Sequence, residues 1–443
     1  MLLATSLWDR REHFFWPGIL SPLHSSRTLS RKTKTLWLAM AALAVTLLCC
    51  SVPYIRAHLA FNEGQKLLEA ELWPQAREQL ARYVKLHPSN AQARLMMAEA
   101  LIQDSEMSTE EATKRAIAHL QAIPSTSELA GEAILREARL TFFILQLPSR
   151  AERLVHKAIE LDSDDLLSQH LLWTILNMTG RHELTEDVFW RIYELTDPKD
   201  RVFRLREWYM SQFFPNSSNE ALDRRMYLLG PNESSSPTTV SRRYLRFRER
   251  EPGSPIPHAA LAQWCQQEGD PDFGKTLVDA AASQLKNSQE SPFFLATQIS
   301  IYLDLGEFET AKACIDNWPK EDRSRPYWMW KAIVLDDVEG KLDQALQAYD
   351  KAMVLWPSHM DWRLQHRRAE CLTRLNRPKD AEAQRAHAAT IREIMVPELH
   401  ITLREALENL ADANKLQLVV EFYERLGRKR EAAAWREHLK TLN

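Results

Sequence analysis

The chain has 443 residues, 45% of them hydrophobic and 26% charged, enough for two or three ordinary domains or one long solenoid. Its 57 basic and 60 acidic side chains leave a formal charge of −3, so no global field points to nucleic acid. Eleven glycines are few against a usual share of about 7%, which disfavours glycine-rich phosphate loops and turn-dense β architectures.

In chain order, residues 1–34 form a tail in which Trp8, Phe14, Phe15 and Trp16 neighbour Arg10 and Arg11. Residues 35–55, TLWLAMAALAVTLLCCSVPYI, carry no charge and, at about 1.5 Å per residue, are long enough for a transmembrane helix. Arg27, Arg31, Lys32 and Lys34 precede the run, and Arg56 and Lys66 are the basic residues just after it. The positive-inside rule then expects a cytoplasmic N-terminus, with the rest of the chain on the non-cytoplasmic side of a membrane. The run exceeds the apolar core of a signal peptide, about 7–15 residues, which favours an uncleaved single-pass anchor over a cleaved leader.

From residue 57 a different period takes over. A small residue opens each second helix, followed by apolar positions four and seven further on and a stop near twelve. Ala76, Leu80, Tyr83 and Pro88 form the first such set, and Ala112, Ala116, His119 and Pro124 the second. Ala151 and Thr185 open the next two. The register lapses over 199–238, where polar loops surround an expected extra helix at 200–214. It resumes at Val240, Gly274, Ala311, Ala345 and Ala381. The cleanest unit is 326–358, with a first helix expected over 326–336, a turn at Gly340, and Ala345, Tyr349 and Ala352 along the second helix before Pro357. The helix 429–441 ends the series with a charged face suited to a terminal cap. The expected division is therefore repeats over 57–198, an irregular insertion or linker over 199–238, and repeats with a capping helix over 239–443.

Gly340, Ala345, Tyr349, Ala352 and Pro357 stand where the tetratricopeptide repeat, a helix–turn–helix unit of about 34 residues, places its turn glycine, small residues, aromatic and closing proline. The chain resembles that family. The resemblance implies an all-α solenoid of stacked pairs, preceded here by the transmembrane helix. It also implies that first helices line a concave groove. The Lys/Asn set with which some members clamp acidic chaperone tails is missing: Phe61, Gln65 and Trp330 stand in that register.

Chemistry is harder to find. The chain has no phosphate-loop, dinucleotide, zinc-protease or nucleophile-elbow motif, and no C-x-x-C pair. The expectation is a non-enzyme with no cofactor and no metal. Cys265, Cys314 and Cys371 are expected as buried free thiols. Asn177, Asn216 and Asn232 head N-x-S/T triplets.

Two basic clusters are candidate partner-binding sites, although a solvated helix face is the ordinary reading of each. One comprises Arg242, Arg243 and Arg246, interleaved with Tyr244 and Phe247; the other comprises Arg363, His366 and Arg367 on a first helix, where an acidic peptide would meet them. The expected function is a membrane-anchored interaction scaffold that binds a partner protein or peptide in its groove, with no nucleic acid. The alternative is a non-catalytic accessory subunit using Trp328, Trp330 and Trp362 as a carbohydrate-stacking platform.

Overall fold

The computed structural model describes residues 31–104, 107–215, 219, 222–224, 226, 237–286 and 288–442; within these, the side chains of 31–39, 41, 44–51, 237–238 and 359 are outside the description. The tail up to residue 30, most of 216–236, Asn216, Asn232, and the Cys49 and Cys50 thiols therefore lie outside the described residues. The chain divides into two compact units, Met1–Leu59 and Ala60–Asn443.

The second unit is an all-α solenoid of tetratricopeptide-like pairs. The end of α1 (Arg31–Glu69) pairs with α2 (Trp73–Leu86), α3 (Ala91–Gln103) with α4 (Thr109–Gln121), α5 (Ala130–Phe143) with α6 (Pro148–Leu161), and α7 (Leu166–Met178) with α8 (Thr185–Leu195). Helix α9 (Arg201–Phe213) follows, close to the expected 200–214, and then α10 (Pro237–Arg250). Pairing resumes as α11 (Pro255–Gln267) with α12 (Pro271–Gln284), and α13 (Pro292–Asp304) with α14 (Phe308–Asp316). Next come α15 (Arg325–Ile333) with α16 (Leu342–Met353), and α17 (Trp362–Arg374) with α18 (Pro378–Ile394). The last are α19 (Pro397–Ala406), α20 (Ala413–Arg425) and α21 (Lys429–Leu442).

Local chemistry sets these limits. Asn90 caps α3 by accepting from the Ala93 N–H at 2.8 Å, and Asp165 caps α7 through the N–H groups of Leu167 and Ser168. Pro148, Pro255, Pro271, Pro292, Pro378 and Pro397 begin helices, where a missing N–H costs nothing. The pair turns pass through the left-handed region: Gly340 does so at φ 66°, and Glu71, Gln146 and Asn376 do so at 56–59° without a glycine. The register residues are where the period places them. Ala76, Ala112, Ala151, Thr185, Val240, Ala311, Ala345 and Ala381 are all buried.

One unit departs from expectation. Helix α15 stops at Ile333, and Val334–Val338 widens into a π-turn instead of continuing to residue 336. The turn rotates Asp336 inward, where it is 4% exposed, accepts from the Tyr349 hydroxyl at 3.2 Å and pairs with Arg374.

The membrane reading needs correcting. Among the described residues, no helix is long and apolar enough to cross a membrane. The run 35–55 is instead the first part of the 39-residue α1, which encloses Pro53 and continues without a break into the polar stretch ending at Glu69. Farther along the same helix, Ala60 is buried and Gly64 lies against Leu80 of α2. The transmembrane helix in the expected fold, the single-pass localisation and the membrane partner are accordingly withdrawn.

Within the second unit the chain closes on itself. One apolar core joins α5–α7 to α10–α13, with Phe142 and Phe247 at a ring separation of 6.0 Å. Another joins α8 and α9 to α18–α21, with Trp208, Tyr209, Tyr423 and Trp435 buried together. The second run of pairs is thus met at both ends by the first run. The terminal helix is met there too: Arg428, just before it, pairs with Glu186, and Arg430 pairs with Glu194 at 2.9 Å.

Candidate partner-binding groove

First helices stack beside one another along α11, α13, α15 and α17, and the turn between α7 and α8 comes up against them. Together they enclose a groove of about 760 Å³. Phe293, Leu303, Met329, Trp330 and Leu364 supply apolar surface, while Gln263, Gln267, Ser300 and Asp304 supply polar surface.

Arg325 is the organising charge. It stands at the start of α15, 7% exposed, and its Nε donates to the Ser358 hydroxyl at 2.7 Å. One terminal nitrogen donates to Glu183 and the other to Asp361 at 3.1 Å. Asp361 is itself fixed as the N-cap of α17, its other oxygen accepting from the N–H groups of Arg363 and Leu364 at 3.1 Å. Burial pushes the Glu183 carboxyl above its ordinary range, against the opposing pull of Arg325. Beside it, burial holds the His182 imidazole down to about 4, with the Arg243 charge acting in the same direction. Asn177 uses its amide to donate to the Trp173 carbonyl, so its oxygen accepts, and His182 Nδ1 carries the proton of their 3.1 Å bond. Asn177 is 3% exposed, inside the fold.

Of the expected site residues, the structure brings Arg363 and Arg367 into the groove. Arg363 is exposed, its guanidinium 5.3 Å from the centre of the Trp362 ring. Arg367 donates to Asp337 at 2.7 Å, and its charge is therefore largely matched. His366, on the same helix, lies 3.2 Å from Glu370 and does not line the groove. Arg242, Arg243 and Arg246 lie on α10. Arg243 is 1% exposed and ion-paired with Asp223 at 2.7 Å, inside the fold; Arg242 and Arg246 are exposed, the latter 3.6 Å from Glu249. The tryptophans do not share one open face. All three are half-buried, Lys351 sits 4.0 Å over Trp328, and Trp362 lies between Arg363 and Arg392.

Sequence reasoning missed Arg325, Glu183 and Asp361. Glu183 and Arg325 are 142 residues apart, and no local pattern could have joined them. Cys265, Cys314 and Cys371 are buried free thiols, and burial raises all three. Among the described residues, no group of three or more His, Cys, Asp or Glu is placed to hold a metal ion.

No protein family and no curated protein matches the sequence. Among solved structures, the chain is similar to one described as the crystal structure of the APC/C hetero-tetramer Cut9–Hcn1. The identity is 13%, the match covers 87% of this chain and 73% of that chain, and the TM-score is 0.35. At that score, the reading of the groove rests on this chain's own geometry.

Proposed function

We propose that this protein is an interaction scaffold, and that the groove along α11, α13, α15 and α17 takes an extended segment of a partner protein. The observation that carries the reading is the groove itself, an opening of about 760 Å³ with apolar side chains from successive first helices and polar groups beside them. An extended chain presents side chains and unpaired backbone groups together, which such a mixed lining suits. Arg363 at the rim offers a contact to an acidic residue of the segment. Arg367 does so only by giving up Asp337.

The test is site-specific photocrosslinking in the intact protein. A benzophenone amino acid at Trp330, which lines the groove, is compared with one at Val354, which is 82% exposed and lies outside the groove. A discrete adduct formed from position 330 and absent from position 354 is expected. Equal labelling from both positions, or none from 330, overturns the reading.

A further inference from the structure

A smaller opening involves a different side of α15. Met329, Trp330 and Ile333 line the groove, whereas Tyr327, Lys331 and Leu335, at helical spacing, line a separate recess of about 240 Å³ against the end of α14. Tyr327 is 7% exposed. Lys331 Nζ donates to its hydroxyl at 2.9 Å, and the Arg323 guanidinium lies 4.5 Å from the centre of its ring. The phenol oxygen therefore accepts from a cation, and its own proton has no acceptor among the described residues. Lys320, Arg323 and Lys331 all line the recess, and none of them has an ion pair among the described residues. Arg323 commits one terminal nitrogen to the Pro319 and Asp322 carbonyls. Two carboxylates also line the recess, and each is answered by a lysine from outside it. Asp316 pairs with Lys312 at 3.0 Å, and Glu339 pairs with Lys341, with Lys312 at 3.8 Å. Glu321 and Asp322, the other acids of the connecting loop, do not line it. The excess charge of the recess is positive.

Independently of what the groove binds, we infer that this recess receives a phosphate monoester. The ester dianion presents three strong acceptor oxygens. Those oxygens match an ammonium, a guanidinium and a phenol whose proton is unspent. A carboxylate brings a single charge to three cations and answers them less well. Ile315, Trp318 and Val334 wall the same opening, and their apolar surface strengthens each charge-assisted contact by keeping water away from it.

Phosphorus NMR titration of the full chain tests this at a pH of about 7.5, above the second phosphate pKa of about 6. The probes are N-acetyl-O-phosphoserine amide and glycerol 3-phosphate, with acetate as competitor. Saturable binding of at least one ester is expected, and acetate should not displace it. Tighter binding of the phosphoserine probe assigns the recess to a phosphorylated protein; tighter binding of glycerol 3-phosphate assigns it to a small ester. K331M should weaken binding about ten-fold, the loss of one charge-assisted hydrogen bond. Y327F, which keeps the ring and removes only the hydroxyl, should weaken it less, and K379M, on α18 and outside the recess, should leave it unchanged. The assignment is overturned if neither ester binds, if acetate competes equally, or if K331M and Y327F bind as the unmodified protein does. Circular dichroism verifies that the variants are folded, and Y327F decides the matter should K331M not be.

Discussion

The Trp208 indole N–H donates to Glu431 at 3.2 Å across 223 residues of sequence, with both side chains 1% exposed. The same carboxylate also accepts from Arg428, which continues to Glu186 on α8. Glu431→Ala strands an indole N–H and leaves the Arg428 charge short of a partner. A loss of about 3 kcal/mol is expected, since removing one member of a buried pair leaves its mate desolvated. Urea unfolding of the two proteins measures it, and Glu431→Gln, which keeps an acceptor, should lose less.

A second buried pair makes a sharper case. Arg243 and Asp223 are 1% and 2% exposed along their side chains and 2.7 Å apart. Asp223→Ala is expected to cost about 3–5 kcal/mol by leaving a guanidinium alone in the interior. The double change Arg243→Met with Asp223→Leu removes both charges and should recover most of that loss. A double change no more stable than Asp223→Ala alone would contradict this account.

Gly274 occupies a register position where even a methyl group does not fit. A Cβ there would lie 3.0 Å from the Ala262 carbonyl oxygen and 3.2 Å from Ile301 Cδ1. Gly274→Ala gains about 1 kcal/mol of helix propensity. Overpacking against a backbone atom, which cannot rotate away, costs about 1–3 kcal/mol. The clash wins, and a net destabilisation of about 1 kcal/mol is expected from the urea midpoint.

His182 makes stability depend on acidity. Its folded-state value of about 4 lies below the ordinary 6.5, so the unfolded chain binds the proton more readily. The contribution is complete above pH 6.5 and is lost progressively as the pH falls toward 4. The side chain is partly exposed, which trims the full effect to about 2 kcal/mol. His182→Gln should remove that part of the pH dependence, leaving a flatter profile than the unmodified protein between pH 7 and pH 4.5.

What the sequence made legible was local. Ala345, Tyr349 and Ala352 lie four and three positions apart, so one helix face could be read from them, and all three are buried. The unit register put Arg363, His366 and Arg367 on a first helix, and the family resemblance implied that such helices line a groove; Arg363 and Arg367 do line it and His366 does not. The pairs Arg367–Asp337 and Arg325–Glu183 were not legible, because each is brought together by stacking rather than by period. The π-turn at Val334–Val338 was hidden as well: the residue it carries inward, Asp336, meets Arg374 of the next pair, which no local period announces. The uncharged run 35–55 was read by composition alone, which does not reveal that one helix carries it onward into the first pair.

The closure of the second unit bears on how the molecule acquires its fold. An open repeat array depends on neighbours alone and can grow outward from any nucleus. Here Ser149 meets Glu251, Trp208 meets Glu431 and Arg428 meets Glu186, contacts that span from 102 to 242 positions along the chain. Bringing such distant segments together demands a large loss of chain entropy before any contact rewards it. Its folding should therefore be much slower than its helical content suggests, with local pairs forming early and the meeting of α9 with α21 setting the pace.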